Sequence, residues 1–403
     1  MTHILKGGEY IGSGSFGCVM KPHIECKNTI NLNKYANNNI ISKMSTYKYY
    51  DSDSLENIYD EINICEKVLK IDKECKYLCP ILKYCNIIQD NVIDRNDIKF
   101  QNLSTMEDID LYYDNKGYEK QCIFNLNSDF ITINLISIYA GPDIESFINT
   151  PALFKKYNQL LKTNFKTIVI DLLDGLKTLH SNKITHKDIK LSNLCLLIKN
   201  GRPIVRYIDF GLSEDLKTLK HTANNIINSG TPSYMAPDFI ILIELKKHKF
   251  TQKLDKNKFK HKIINKLFNS IKSNFSTFTN KGLNKTYLNG NFNTINSELY
   301  YDDNYNEKKH THYFITKTDI ITIYLFLLNL NKNDELLHYY FKDITGLNAK
   351  FDIFGLGLVI FEIAKKLNIQ NILLLNLIKN MLEFNSINRF SIEDCIDHYY
   401  INN

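Results

Sequence analysis

Three segments constrain this chain more than anything else in it: ITHKDIKLSN at 184–193, YIDFGLS at 207–213 and SGTPSYMAPD at 229–238, in that order. Taken singly, an HxD or a DFG tripeptide is as readily a structural turn. Together they bring two carboxylates (Asp188, Asp209), an ammonium (Lys190) and an amide (Asn193) into one short stretch, and Gly230-Thr231-Pro232 follows. Three such segments in fixed order are far harder to obtain by chance than any one of them.

The segments resemble the catalytic, metal-binding and substrate-binding loops of eukaryotic-type protein kinases. The resemblance implies that Asp188 accepts or orients the proton of a substrate hydroxyl and that Lys190 neutralises charge on the migrating phosphoryl group. Asn193 and Asp209 are then the Mg²⁺ ligands, since Mg²⁺ takes one or two carboxylates and leaves the rest of its shell to phosphates and water. The transition state of phosphoryl transfer is loose and highly charged, so positioning and electrostatics supply most of the catalysis. By the same resemblance Thr231 bridges Asp188 and Lys190, which points to Ser/Thr rather than Tyr acceptors.

Two departures stand out. Lys187 occupies the place where these kinases usually carry an Arg that pins a phosphorylated activation loop. Lys lacks the planar fork for bidentate pairing, so activity is expected to depend only weakly on loop phosphorylation, for which Ser213, Thr218, Thr222 and Ser229 are available hydroxyls. Asp238 closes Ala236-Pro237-Asp238 where the family has Glu, whose usual partner is an arginine late in the chain; Arg389 is well placed for that, and Asp is one methylene shorter. Further on, KFDIFGLG at 350–357 resembles the buried helix that anchors a catalytic loop, with Asp352 accepting backbone N–H groups.

The amino-terminal part reads as the matching small lobe. YIGSGSFGCV at 10–19 fills GxGxxG with Gly12, Gly14 and Gly17. Ser13, Ser15 and Phe16 complete a hairpin whose small side chains let backbone N–H groups lie over phosphates, and Val19 packs on the adenine. Dinucleotide folds share the motif but put a helix directly after it. Here Cys18-Val19-Met20 has strand character and Pro22 follows. Lys43, in the apolar stretch 39–44, sits where these kinases carry the ion-pairing lysine. Lys21 is too close to the glycines, and Lys34 lacks strand-like neighbours. Glu61 heads a run with Val68 and Leu69 at helical spacing and is the expected partner of Lys43; Glu56 and Glu66 compete for that role. Ile131 to Ala140 reads as a strand leading to a hinge at Tyr139-Ala140-Gly141, with Ser137 beside the adenine pocket. A Ser there leaves the pocket open to bulky N6-substituted ATP analogues.

Composition bounds the setting. Nine scattered cysteines, an odd number with no CxxC, argue for reduced thiols in a cytosol-like compartment rather than a disulfide framework or zinc site. No signal peptide precedes Gly12, and the apolar run 320–330 is too short to span a bilayer. Abundant Asn, Lys, Ile and Tyr with no Trp reflect A/T-rich codons, as in a large DNA virus or an A/T-rich parasite. Asp238 and Asp352 are 114 positions apart where a kinase needs a short connection, so about 245–347 reads as an insertion. Its stretch 246–285 holds twelve Lys against one acid, Asp255, a local +11 within a chain of net +6. That charge suits an acidic partner, although a solvated loop enriched in Lys by codon bias is the simpler account. A second polar interruption spans about 89–120.

The expected fold is α+β: a two-lobed kinase with a small antiparallel-sheet lobe and helix C at 1–138, and a mainly helical lobe at 139–403. The implied cofactors are ATP and Mg²⁺, and the implied partner is a protein substrate with Ser or Thr hydroxyls. A catalytically weak pseudokinase serving as a binding scaffold is the alternative.

Overall fold

The computed structural model describes residues 9–14, 17–24, 26, 40–48, 52–86, 130–218, 230–231, 234–236, 344–383 and 386–401. They fall into two compact units, residues 1–141 with 207–211, and 142–206 with 212–403.

The first unit is built on a five-stranded antiparallel sheet. Its strands are β1 (Glu9–Gly14), β2 (Gly17–Lys21), β3 (Ile40–Lys48), β4 (Ile81–Asn86) and β5 (Phe130–Ile138), in spatial order β1-β2-β3-β5-β4. Alternation decides what each face meets. On β5, Ile133 and Leu135 pack with Ile58 and Ile62 of helix α1 (Ser52–Ile71), and Ile136 on the opposite face packs with Ile40, Cys26 and Cys85. After α1 the buried Asp72 carboxylate accepts the N–H groups of Lys76, Tyr77 and Leu78 at 2.9, 2.8 and 2.9 Å, which stops the helix and turns the chain toward β4.

One expectation fails here. Cys26 and Cys85 form a disulfide with Cα atoms 6.0 Å apart and 59 residues between them in sequence. Spacing rules see local motifs, whereas this pair meets only because the chain after β2 crosses the sheet to β4. Cys65, Cys75, Cys79, Cys195 and Cys395 are buried and take part in no disulfide.

The second unit is mainly helical. Helix α2 (Ile144–Asn149) is capped by Asp143, whose carboxylate accepts the Ser146 N–H at 2.7 Å. Helix α3 (Pro151–Thr163) opens with proline at its first position, where no N–H is needed. Helix α4 (Phe165–Ser181) buries Ile168, Leu172, Leu176 and Leu179 on one stripe, as their spacing predicts. Short strands follow: β6 (Ile184–Thr185), β7 (Leu194–Lys199), β8 (Arg202–Tyr207) and β9 (Glu214–Asp215), paired β6 with β9 and β7 with β8.

Helix α5 (Ile344–Leu367) begins inside the interval 245–347 read as an insertion, whose remainder lies outside the described residues, as does 89–120. Every residue of α5 from Phe351 to Ile360 is buried, and a helix apolar all round belongs in a core. Gly355 is required there, because a Cβ would stand 2.9 Å from the Ile189 carbonyl oxygen. Helices α6 (Ile372–Met381) and α7 (Ile392–Ile401) complete the unit. Ser391 and Asp394 cap α7 reciprocally, Asp394 N–H to Ser391 Oγ at 3.1 Å and Ser391 N–H to Asp394 Oδ2 at 2.7 Å. Among the described residues no helix is long and apolar enough to cross a membrane.

Candidate active site

In the sheet unit, β1 and β2 form a hairpin with Gly12 opposite Val19, Ser13 opposite Cys18 and Gly14 opposite Gly17. Ser15 and Phe16 lie outside the described residues. Val19 in turn pairs with Lys43 of β3, so the two project from the same face of the sheet. That face meets α1. Lys43 Nζ stands 3.9 Å from Glu61 Oε1 and 3.5 Å from Asp209 Oδ1. Burial pushes the Glu61 carboxyl above its ordinary range, Lys43 draws it back, and Asp209 raises it again. Glu56 and Glu66, the competing carboxylates, lie on exposed positions of α1. Lys21 stacks its ammonium 3.8 Å from the centre of the Tyr139 ring. Lys34 lies outside the described residues. Ser137, half-buried on β5, pairs with Ile41 and Ile81. Asp209 itself adopts φ +61, a left-handed conformation that non-glycine residues enter at a cost.

In the helical unit the loop from His186 to Asn193 is held from below. Asp352, 2% exposed on α5, accepts the backbone N–H groups of His186 and Lys187 at 2.8 and 2.7 Å, and lies 2.9 Å from His180 Nε2. These bonds fix Lys187 at φ +66. The Asp188 carboxylate is then surrounded by donors. Its Oδ1 accepts the Thr231 N–H at 2.9 Å and hydroxyl at 2.7 Å. Its Oδ2 lies 2.9 Å from Lys190 Nζ and accepts from Asn193 Nδ2 at 2.9 Å. Lys190 also donates to Thr231 Oγ1 at 2.8 Å, so Thr231 does bridge the two. Gly230 makes this possible: at φ +121 it brings the chain so close that a Cβ would sit 3.0 Å from the Lys187 carbonyl oxygen.

The donor set fits Mg²⁺ delivered with a nucleotide. Asn193 makes its bonds to Asp188 through the amide nitrogen, so its carbonyl oxygen is the end with which it could meet a cation. Among the described residues no three His, Cys, Asp or Glu side chains form a metal cage.

The Protein kinase domain family model matches residues 97–257. Over 181 residues, 44% of this chain and 11% of the relative, the sequence is 29% identical to Calcium-dependent protein kinase 6 of Plasmodium berghei. Over 182 residues, 42% of this chain and 44% of the relative, it is 25% identical to Serine/threonine-protein kinase CAK1 of Saccharomyces cerevisiae. A shorter stretch of 73 residues is 41% identical to Myosin-IIIa of Mus musculus, 18% of this chain and 4% of that protein. The chain thus spans less than half the length of the relatives it matches.

Residues 97–257 of this chain are thus similar to the protein kinase domain.

The α+β class that the resemblance implies agrees with the antiparallel-sheet unit and the mainly helical unit described above. Within the helical unit two neighbours of the site residues had no signal in the sequence. Glu214 of β9 sits opposite Thr185 of β6 and receives the Lys187 ammonium at 2.6 Å, with that side chain only 4% exposed. Glu362 of α5 accepts the Tyr234 hydroxyl at 3.2 Å. Burial, reinforced by Glu145, pushes its carboxyl up to about 7 against the opposing effects of Tyr234 and Lys365. Both contacts join residues far apart in sequence at positions where Glu is unremarkable. Asp238 lies outside the described residues. Arg389, 1% exposed, donates to the carbonyl oxygens of Glu383 and Lys350 at 2.8 and 3.0 Å and stacks 5.1 Å from the Phe354 ring centre.

Proposed function

We propose that this chain is an ATP-dependent protein kinase that transfers the γ-phosphoryl group to Ser or Thr hydroxyls of protein substrates. The observation that carries the reading is the Asp188 carboxylate locked between Lys190, Asn193 and Thr231. A group held on both oxygens by fixed donors has a defined direction for a substrate hydroxyl. Lys190 lies where charge on the transferred group needs a cation, and Mg²⁺ would supply the remaining neutralisation, held by Asn193 and Asp209. Lys43, positioned by Glu61, is proposed to hold the nucleotide phosphates, with the glycine hairpin over them. Thr231 on Asp188 supports Ser/Thr over Tyr acceptors.

The alternative, a pseudokinase scaffold, expects damage to the lysine, the loop aspartate or the DFG aspartate. All three are present, and Lys43 and Asp209 lie 3.5 Å apart, which favours turnover. The Lys-rich stretch 246–285 lies outside the described residues, so an acidic partner for it rests on charge alone, as a viral source rests on composition alone. The deciding experiment is γ-phosphate transfer from Mg·ATP to a panel of Ser/Thr peptides of varied charge, with Asp188→Asn beside wild type. A loss of about 10²-fold or more in the mutant is expected for a positioned base. Equal turnover by both would refute the assignment of Asp188, and no transfer by wild type with ATP bound would return the weight to a scaffold.

A further inference from the structure

Lys21 is the last residue of β2, the strand by which the chain leaves the glycine hairpin. Just beyond it the backbone is tied down on the sheet face opposite α1. Ile24 N–H donates to Ser42 Oγ at 2.8 Å, and Asn134 Nδ2 donates to the Ile24 carbonyl oxygen at 2.9 Å. The Lys21 side chain takes the other face. It stands two residues past Val19, and alternation along a strand gives it the face that Val19 shares with Lys43.

Strands β2 and β5 each run antiparallel to β3 between them, so both finish at the same end of the sheet. Tyr139 directly follows β5 there, two residues before Gly141, where the sheet unit ends at φ +103. Two strand spacings, roughly 10 Å, separate β2 from β5. A long cation and a large ring close that gap across β3: Lys21 Nζ lies 3.8 Å from the centre of the Tyr139 ring. Both residues are half-buried, and a cation over an aromatic face gains strength as water is removed from it.

We propose that Lys21 is a positioning residue for the nucleotide: its contact with Tyr139 latches the outgoing strand of the glycine hairpin to the end of β5 and sets how closely the hairpin lies over the phosphates. The hairpin is the lightly held part of the sheet. β3 and β5 pair along their whole length, whereas β2 pairs with β3 only from Cys18 to Met20, and β1 beyond it is an edge strand. A side-chain tie at Lys21, where that short pairing ends, therefore restrains a ribbon that the backbone restrains little. The effect on the nucleotide, though not the latch itself, rests on the reading of the hairpin and Lys43 given above.

The test compares Lys21→Met, Tyr139→Leu, the double variant, Lys21→Arg and Tyr139→Phe with wild type in the full chain. Titration calorimetry gives the Kd for Mg·ATP, and peptide phosphorylation gives KM and kcat. Lys21→Met keeps the length and loses the charge, so it should weaken Mg·ATP about three- to tenfold, as should Tyr139→Leu. The double variant should be no weaker than the worse single, since one contact is lost in all three. Lys21→Arg and Tyr139→Phe keep a cation and a ring face and should stay within about twofold of wild type. In Lys21→Met the KM for ATP should rise by the same factor as Kd, with kcat changing less than about twofold. Without nucleotide, amides of 17–21 should exchange roughly three- to tenfold faster in either single variant and no faster in the double. Effects that multiply in the double, or Lys21→Arg as weak as Lys21→Met, would overturn the latch. So would weakening by Lys21→Met alone, which would mean that Lys21 touches the nucleotide directly. If wild type binds no Mg·ATP, the nucleotide reading fails instead, and amide exchange of 17–21 in the same variants still decides the latch: faster in both singles upholds it, unchanged rates refute it.

Discussion

The Lys187–Glu214 pair offers the sharpest test of how the loop carrying Asp188 is held. The ammonium and carboxylate lie 2.6 Å apart, with side chains 4% and 15% exposed. At an effective dielectric of 20 their attraction is about 6 kcal/mol, much of it offset by desolvation. Removing one partner of a buried pair costs about 3–5 kcal/mol, because the other charge is stranded. Glu214→Gln keeps a neutral acceptor, so the lower end, about 3 kcal/mol, is expected. Lys187→Met should cost less, since the stranded Glu214 is the more exposed of the two. The double variant Lys187→Met/Glu214→Leu replaces the pair with apolar groups and should recover to within about 1 kcal/mol of wild type. Urea unfolding followed by far-UV circular dichroism measures all four corners, the chain having no Trp for fluorescence. Because Lys187 already has an internal counter-charge, peptide phosphorylation by wild type should survive phosphatase treatment. Glu214→Gln should lower kcat roughly tenfold and leave KM for ATP unchanged. A coupling energy below about 0.5 kcal/mol in the cycle, or activity abolished by phosphatase, would refute the reasoning.

Asp352→Ala strands the N–H groups of His186 and Lys187. Hydrogen bonds to a charged group are worth about 1.5–3 kcal/mol each, so a loss of about 3–6 kcal/mol in urea unfolding is expected, and a change under 1 kcal/mol would contradict it. Thr231→Val removes the hydroxyl between Asp188 and Lys190 and should lower kcat about 10- to 100-fold with ATP affinity intact; steady-state kinetics on one peptide decides this. Glu362, pushed up to about 7 from 4.5, holds its proton longer in the folded than in the unfolded chain. Its contribution to stability is therefore complete below about pH 4.5 and lost as pH rises to about 7, a fall of about 3 kcal/mol. Glu362→Gln should flatten that slope in thermal melts taken from pH 4.5 to 7.5, and an unchanged slope would exclude the group as its source.

What the sequence alone determined were features encoded within short windows. The glycine hairpin, the strand bearing Lys43, the stripe on α4 and the apolar run of α5 each follow from local periodicity or a local motif, because backbone geometry repeats every two or 3.6 residues. The order of HKD, DFG and GTP carried the resemblance to protein kinases, and with it the expected bridge of Thr231 between Asp188 and Lys190. Asp352 beneath the catalytic loop was legible for the same reason. Tertiary structure alone decided pairings whose members carry no mark of each other. Glu61 was separated from Glu56 and Glu66 only by which face of α1 turns to Lys43. Glu214 and Glu362 found Lys187 and Tyr234 through strand pairing and helix packing, contacts that any surface carboxylate might equally have lacked. Cys26 and Cys85, read from spacing as reduced thiols, meet because the chain after β2 passes Ile24 over β3 and β5 and brings Cys26 to β4. A disulfide needs two Cβ atoms brought close with the right orientation, and only the folded sheet supplies that for cysteines 59 residues apart.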